Sequence, residues 1–232
     1  MPGRVFTHHE FVSGADVGPH GRAHLDSIAD WLQAAAFADG LDAGLGTGGA
    51  WIVRRTSMRL GRLPRFAERL TLRTWCGGLA ASVAERRTTI EGDCGGLLEV
   101  ESIWVHIDPA NRRPARFGPE FLAAYAESAG PGRPRTKLRH PPPPTDAERR
   151  DWRFTAADVD LAGHVNNAAY WRLAEEYLLG EGGPADGTLL EAEYRTGVGP
   201  GPAEVALAAD HSLAWVLGAG AGVAASLLIS RD

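Results

Sequence analysis

A short stretch in the second half of the chain concentrates the side chains that can do chemistry. Residues 158–167 contain two carboxylates, a histidine and two neighbouring asparagines, arranged around Gly163. A carboxylate or an imidazole can take a proton from water, and the free N–H groups at a helix start can hold the oxygen of a polarised carbonyl. The residue types are therefore compatible with a site that holds a polarised carbonyl while a carboxylate or the imidazole handles water, although spacing alone favours helix capping.

Helix capping is the structural alternative for the same residues. Asp158, Asp160 and Asn166 are all residue types that cap helix N-termini, and a polar cluster at a helix start needs no catalysis to explain it. A helix needs only one cap residue, however. The remaining polar side chains, those of His164 and Asn167 among them, exceed what capping requires.

The segments around this stretch predict an α+β fold. Residues Val165, Ala169, Leu173 and Tyr177 recur every four positions, which predicts a helix that opens at residues 158–163 and stops at Gly180. An earlier apolar stripe from Leu25 to Ala36 predicts a long helix that ends in the Gly-rich residues 44–49. Strand-like segments follow each helix, at 51–60, 68–76, 81–90 and 97–107, and at 189–196, 203–209, 212–218 and 223–229.

The order of helix, Gly-rich break and strands occurs twice, which indicates an internal duplication. Asp16 and Gly21 align with Asp158 and Gly163 at a separation of 142 positions. Further along, a separation of 136 positions aligns Arg59, Pro64 and Glu68 with Arg195, Pro200 and Glu204. At the positions of Asp160 and His164 the first copy carries Gly18 and Arg22, so the fold is not expected to require the pair.

A Pro-rich segment separates the two copies. We predict a first repeat at 1–128, a linker at 129–151 without helix or central strand, and a second repeat at 152–232. The linker contains four cations with no acid between them, at Arg133, Arg135, Lys137 and Arg139. They are either a docking surface for an acidic carrier protein or an ordinary solvated run.

The motif Gly163-His-Val-Asn-Asn167 resembles the active-site motif of the acyl-ACP thioesterases of plants and bacteria. The likeness covers nearly the whole chain, including residues 51–55 and Tyr194-Arg195. It implies a tandem double hotdog, in which each repeat is a long helix wrapped by a curved antiparallel sheet. Only the second repeat is expected to carry an active site, which gives one site per chain.

The resemblance also implies roles for individual residues. Asp160 would be the general base or the nucleophile, and His164 would orient water or protonate the leaving thiolate. The N–H groups of Gly163, His164 and Val165 would hold the oxyanion. The residues expected at the substrate are Gly163, Val165, Asn166, Asn167, Tyr170 and Glu175, and the aromatic residues Trp31, Phe37, Trp51, Trp104 and Trp171 are candidates for lining an acyl cavity.

Three positions depart from the plant pattern. Ala162 stands where the plant enzymes have Asn, and Gly197 and Val198 stand where they have Glu and Cys. Roles assigned to those three residues cannot be carried over to this chain. Of the plant catalytic groups, only the Asp and the His are present.

Three classes of function follow from these observations. The first is hydrolysis of fatty acyl-ACP, the second is hydrolysis of acyl-CoA or a polyketide-type thioester, and the third is acyl binding without catalysis. No metal or cofactor is expected, because a thioester is already an activated acyl group.

The composition limits the partners and the cellular location that we expect for the protein. The 232 residues carry a net charge of −5, which gives no overall attraction for nucleic acid or an anionic membrane. No apolar run reaches the ~18 residues of a membrane span, and two cysteines are too few for a disulfide framework. We expect a cytoplasmic protein that is a monomer or a homodimer of double hotdogs.

Overall fold

The two halves of the chain share one antiparallel sheet. The computed structural model describes residues 3–46, 50–180, 183–218 and 222–230, and these form ten strands in the order β1-β3-β4-β5-β2-β7-β10-β9-β8-β6. The strands are β1 (Val5–Phe11), β2 (Ala50–Arg62), β3 (Arg69–Ala80), β4 (Val83–Gly92), β5 (Leu97–Ile107), β6 (Glu148–Phe154), β7 (Leu189–Tyr194), β8 (Gly201–Leu207), β9 (Leu213–Gly218) and β10 (Gly222–Ser230). Outward from the junction of β2 with β7, the two halves have the same strand order, which confirms the expected double hotdog.

The helices lie on one face of this sheet. Helix α1 (Leu25–Asp42) buries Leu25, Ile28 and Leu32 in the core against inward-facing residues of both halves, as its apolar stripe predicts. Helix α2 (Pro119–Tyr125) follows the last strand of the first half. In the second half a 3-10 turn at Asn167–Tyr170 leads into α3 (Trp171–Tyr177).

The second helix is shorter than its sequence pattern predicts. Helical structure begins at Asn167, because residues 158–166 form a separate turn that is closed by a bridge between Val159 and Val165. The reactive stretch therefore precedes the helix. Val165, which the four-residue periodicity assigned to the helix, belongs to the bridge.

The duplication is visible in backbone hydrogen bonds. Asn166 N–H donates to the carbonyl of Asp158 at 2.7 Å, and at the equivalent place His24 N–H donates to Asp16 at 2.8 Å. These pairs confirm the separation of 142 positions. The next bond shows that the second alignment was wrong by two residues: Ala23 N–H donates to Pro64 and Val165 N–H to Val198, a separation of 134.

The two edge strands, β1 and β6, are not among the strands that the sequence pattern predicts. Strand β6 starts at Glu148, inside the predicted linker, and pairs only with β8. Its residues 148–151 are exposed on both faces, so no apolar alternation marks them as a strand. The linker is nevertheless free of helix and of central strand, since β6 lies at the sheet edge.

The linker crosses the sheet on the face opposite the helices. Gly130 N–H donates to Gly77 on β3 at 3.0 Å, and the indole N–H of Trp215 on β9 donates to the carbonyl of Pro141 at 2.7 Å. Between these points, the backbone N–H groups of Arg139 and His140 both donate to the carboxylate of Glu193. The proline-rich chain is thus fixed to both halves.

A buried charged cluster anchors the linker at the junction of the halves. His140 Nε2 lies 3.2 Å from Glu191 Oε1, Arg55 Nε lies 3.5 Å from Glu191 Oε2, and Arg195 lies 3.2 Å from Glu193. The ligand-type atoms of His140, Glu191 and Glu193 lie within 4.8 Å of one another. Two arginines already balance the two carboxylates, so the cluster is a network of ion pairs. The sequence analysis missed it because its members are far apart in the chain.

None of the helices among the described residues combines the length and the apolar character that crossing a bilayer requires.

Glu191 makes the stability of this junction depend on pH. Burial alone would raise the pKa of Glu191, but hydrogen bonds from His140 and Ser57 and the charge of Arg55 outweigh burial, so the pKa lies below its usual value. A carboxyl group whose pKa is lower in the folded state stabilises the fold above its unfolded pKa of about 4.3. That stabilisation is lost as the pH falls through the folded-state pKa.

We therefore expect Glu191→Gln to lower the free energy of unfolding by about 3 kcal/mol at pH 7, as for other broken buried ion pairs. The difference from wild type should shrink as the pH falls below about 4. Urea unfolding at pH 7, 5 and 3.5 measures it, with Glu204→Gln, which breaks the half-exposed pair with Arg149, as the control. A deficit that is the same at every pH would contradict the assignment.

Candidate active site

The reactive stretch forms a tight turn whose two ends are Asp160 and His164. Asp160 N–H donates to the carbonyl of His164 at 2.9 Å, and Gly163 N–H donates to the carbonyl of Asp160 at 3.0 Å. Gly163 has a φ of 78°, in the left-handed region that favours glycine. The backbone therefore holds the two candidate catalytic residues next to each other.

The first half contains the same turn without the two reactive side chains. Gly18 N–H donates to Arg22 at 3.1 Å and Gly21 N–H donates to Gly18 at 2.9 Å, and Gly21 has a φ of 65°. The turn thus forms with glycine and arginine at the two ends. Asp160 and His164 are not needed to fold it.

The two acids of the turn have different environments. Asp158 is buried and accepts hydrogen bonds from the backbone and hydroxyl of Thr155, at 2.6 and 3.0 Å, and from Arg172. Burial would raise the pKa of Asp158, but these hydrogen bonds outweigh it and the pKa lies below its usual value. Asp158 therefore completes a capping box with Thr155, the N-cap of the short 3-10 turn Ala156–Asp158, and Asp16 does the same with Ser13 in the first half.

Asp160 is exposed and only partly engaged. Its Oδ1 accepts the N–H of Ala162 at 2.8 Å, and within the described ranges its other oxygen has no hydrogen-bond donor. One oxygen is thus fixed by the turn and the other is available to a water molecule. Leu161, at the tip of the turn, is fully exposed beside it.

The imidazole of His164 occupies the space beside Gly197. A Cβ atom on Gly197 would lie 2.7 Å from two ring carbons of His164, Cγ and Cδ2. No hydrogen bond to the His164 ring is formed by any other described residue, so both ring nitrogens are available to substrate or water. The glycine at this departure from the plant pattern is what makes room for the ring.

The expected oxyanion donors are only partly available. The N–H of Gly163 is bonded to Asp160 and the N–H of Val165 is bonded to Val198 at 2.8 Å, so the prediction that these two hold an oxyanion is wrong in this conformation. The N–H groups of His164 and Asn167 have no acceptor in the described part of the chain. They are the amides that remain for a carbonyl oxygen.

The two neighbouring asparagines, Asn166 and Asn167, make different contacts. Asn166 caps the 3-10 turn by accepting from Ala168 N–H at 2.9 Å, and it also accepts from Gln33 Nε2 of α1 at 2.7 Å. The Asn167 carbonyl accepts from the hydroxyl of Tyr194 at 3.2 Å, and the residue lines a small internal cavity. Asn167 is therefore the asparagine closest to an internal space.

Tyr170 is buried below the turn, against Phe154 and Tyr194. Burial, together with the negative charge of Asp160, raises the pKa of Tyr170 to about 12. The phenol is therefore neutral at physiological pH and electrostatically coupled to the carboxylate of Asp160.

Glu175 has a different position from the one expected. Its carboxylate accepts the N–H of Leu25 at 2.6 Å and lies 2.9 Å from His24 Nδ1, at the N-terminus of α1. A negative charge at that end stabilises the helix. The prediction that Glu175 contacts substrate is replaced by a structural role, since its two oxygens already hold the halves together.

Two neighbouring cavities lie between the start of the second-half helical segment and the first half. The small one, about 30 Å³, lies next to Asn167, Trp171 and Tyr194. The larger one, about 330 Å³, lies between α1 and the sheet, and Gln33, Arg86 and Trp104 line both. Together they reach from Asn167, Trp171 and Tyr194 of the second half to the inner face of the first half.

The aromatic candidates are partly confirmed as cavity residues. Phe37 and Trp51 line the large cavity, Trp104 lines both and Trp171 lines the small one, whereas Trp31 packs in the core. Neither Gln33 nor Arg86 belongs to a motif that would predict a place at the cavities. Only the pairing of strands and helices shows that these two face the cavities.

The four linker cations lie on the surface. Arg133, Arg135, Lys137 and Arg139 are exposed, and no acidic side chain among the described residues pairs with them. Their positive charge is therefore available to a partner.

Residues 3–125 match the family model described as the acyl-ACP thioesterase N-terminal domain. The chain belongs to the acyl-ACP thioesterase family. That family makes the protein a thioester hydrolase, as the turn suggested. An uncharacterized protein of Mycobacterium tuberculosis is 25% identical over 177 residues, which are 76% of this chain and 71% of that protein.

Two solved structures share the whole fold with this thioesterase. The acyl-ACP thioesterase of Bacteroides thetaiotaomicron superposes with a TM-score of 0.77 at 17% identity, covering 97% of this chain and 98% of that one. The 12:0-ACP thioesterase of Umbellularia californica superposes with a TM-score of 0.74 at 17% identity, covering 98% of both chains. These likenesses establish the double hotdog over nearly the full length.

The contact between His164 and Gly197 can be tested with two alanine substitutions. Gly197→Ala forces the imidazole to move, since the new Cβ meets the root of the ring, and we expect kcat/KM for an acyl thioester to fall about tenfold. Gly199→Ala, whose Cβ has nothing within 4 Å, should change it less than about twofold. Full activity of Gly197→Ala with unchanged thermal stability would show that the ring position is unimportant.

Proposed function

We propose that this thioesterase hydrolyses fatty acyl-ACP to free fatty acid and ACP, with Asp160 and His164 as its catalytic residues. One observation supports the assignment above all. The same turn is built twice with the same hydrogen bonds, and only the second copy replaces glycine and arginine by an aspartate and a histidine. Two reactive side chains that folding does not require are best explained by catalysis.

The geometry supports a general-base mechanism. The free oxygen of Asp160 takes a proton from water as the hydroxide attacks the thioester carbonyl, and the carbonyl oxygen becomes negative. The N–H groups of His164 and Asn167 hold that oxygen. The carbon–sulfur bond then breaks, the imidazolium of His164 gives a proton to the leaving thiolate, and the proton that Asp160 took from water passes to the imidazole and restores both groups. Direct attack by Asp160 on the carbonyl is the alternative, which forms an anhydride that water must open.

The acyl chain enters the first half of the molecule in this proposal. Gln33 connects the turn to the cavities, since it bonds to Asn166 and lines both of them. Phe37, Trp51 and Phe121 give the larger cavity an aromatic wall suited to an acyl chain. The first repeat, which lacks the catalytic pair, thus supplies the binding space for the second.

The carrier is proposed from the family and from charge. The family model and the two solved relatives are named for ACP thioesterases, and carrier proteins are acidic in general. The exposed linker cations stand at every second position from 133 to 139 and offer a positive surface to an acidic carrier protein. Acyl-CoA hydrolysis is the competing activity, and a side-by-side assay at equal chain length separates the two.

Asp160→Asn tests the catalytic assignment directly. The amide cannot accept the proton from water, so we expect kcat to fall about 100-fold or more with little change in thermal stability, because the oxygen that accepts from Ala162 is kept. Asp146→Asn, at an exposed position of the linker, is the matched control. Undiminished hydrolysis by Asp160→Asn would contradict the assignment of Asp160 as the base. Acyl binding without hydrolysis by the wild type would favour a non-catalytic binding protein.

The docking surface is tested by replacing the four linker cations with alanine. Loss of charge attraction should raise KM for acyl-ACP about fivefold or more at low salt and leave kcat unchanged. KM for acyl-pantetheine, which has no carrier protein, should stay the same. Alanine at the exposed Arg112, Arg113 and Arg116 is the control for a general loss of positive charge. An unchanged KM for acyl-ACP removes the docking surface.

A further inference from the structure

The wall of the acyl path carries a band of polar groups that a plain hydrocarbon chain does not need. Four hydroxyl side chains, Thr56, Thr74, Thr88 and Ser102, are buried on the inner face of strands β2 to β5. They bond in pairs: Thr56 and Ser102 lie 3.2 Å apart, and Thr88 donates to Thr74 at 3.0 Å. Three of them, Thr56, Thr88 and Ser102, line the small cavity.

Arg86 stands at the boundary between the two cavities with part of its guanidinium unused. One nitrogen donates to Asp39 Oδ2 at 2.7 Å and to the hydroxyl of Thr74 at 3.1 Å. Within the described part of the chain, the Nε and the other terminal nitrogen have no acceptor. Because Arg86 lines both cavities, these N–H groups are offered to whatever passes between them.

The charge around Arg86 favours a neutral acceptor. Asp39 is buried and accepts from Arg86, from Arg4 Nε at 2.8 Å and from the hydroxyl of Tyr125 at 2.9 Å. Arg4 also pairs with the exposed Asp42. Two arginines and two aspartates therefore balance, and a further carboxylate in the substrate would bring an unbalanced charge into the wall.

Trp104 provides a second unused donor at the same boundary. Its indole N–H is buried, has no acceptor in the described ranges, and belongs to a residue that lines both cavities. Buried donors normally have a partner, and a hydrocarbon chain that displaced water from this boundary would leave Arg86 and Trp104 without one. An oxygen atom on the chain would supply the acceptor.

The small cavity has the size and the place for one such oxygen. Its volume of about 30 Å³ exceeds the roughly 10–15 Å³ that a cavity needs to hold one water molecule. It lies between Asn167, the first residue of the 3-10 segment that follows the proposed catalytic turn, and Arg86. An oxygen there belongs to a carbon close to the thioester and distant from the far end of the chain.

We propose that Arg86 selects acyl chains that carry a neutral oxygen at the third carbon, so that 3-hydroxyacyl and 3-oxoacyl thioesters are preferred over unsubstituted ones. The inference rests on the proposed function, and it assigns the substrate class of the same site. A site built to bond a substrate oxygen discriminates against the analogue that lacks it, because its own polar groups are then left unpaired.

The first test compares ten-carbon 3-hydroxyacyl-ACP, 3-oxoacyl-ACP and unsubstituted acyl-ACP on the full chain. We expect kcat/KM to be at least tenfold higher for the two oxygenated substrates. Arg86→Met should reduce that ratio to near one, mainly by lowering activity on the oxygenated substrates. Arg73→Met, on the exposed face of β3, is the matched control and should leave the ratio unchanged.

A second variant guards against misfolding of Arg86→Met, which removes a partner of the buried Asp39. Thr88→Val keeps the shape of a residue lining the small cavity and removes only its hydroxyl, so it should lower the ratio while the melting temperature stays close to wild type. Binding supplies a readout besides hydrolysis. Intrinsic tryptophan fluorescence, titrated with 3-hydroxydecanoate and decanoate, should show tighter binding of the oxygenated acid in the wild type and not in Arg86→Met.

The outcomes separate this inference from the proposed function. A wild type that hydrolyses all three substrates equally and binds both acids equally overturns the inference and leaves thioesterase activity intact. Absence of hydrolysis with a retained binding preference supports the oxygen site and contradicts the proposed function. Equal preference in wild type and Arg86→Met overturns the role of Arg86.

Discussion

The pairing of β2 with β7 is the interaction on which the rest of the molecule depends. These strands pair antiparallel from Arg55–Glu193 to Arg59–Leu189 and join two sheets into one. The same register puts inward-facing Thr56 beside the second half and outward-facing Glu191 beneath the linker. Because the sheet is continuous, the cavities between α1 and the first half lie next to Asn167 and Trp171 of the second half. The proposed function therefore draws on both repeats for one site.

The two copies of the turn show how chemistry was added to a structural element. The parts that fold the turn are the same in both halves: a capping aspartate, a left-handed glycine and a bridge between flanking residues. The parts that differ are the side chains at its ends. The two helices also differ in length. The long α1 covers the larger cavity, whereas the short α3 carries Glu175, which accepts a hydrogen bond at the N-terminus of α1. In the proposed function, binding and catalysis are thus divided between the halves.

The sequence predicted local structure well and assembled structure less well. The repeat, eight of the strands and the stretch around Asp160 follow from periodicity and motif, which are local properties. The edge strands lack a buried face, so no pattern marks them. Glu175 was misplaced because its partner Leu25 lies 150 residues away, and Arg86 was missed for the same reason. Such contacts depend on the order of the strands in the sheet, which local patterns in a single sequence do not reveal.

The departures from the plant pattern make one consistent arrangement. Where the plant enzymes have a Glu, Gly197 leaves space that the ring of His164 fills. Where they have an Asn, Ala162 supplies only its backbone N–H, and that N–H holds Asp160. The loss of two polar side chains therefore does not leave the turn empty, because the histidine and a backbone amide take up the space and the hydrogen bond. In the proposed mechanism Asp160 and His164 suffice, because a thioester is already activated towards water.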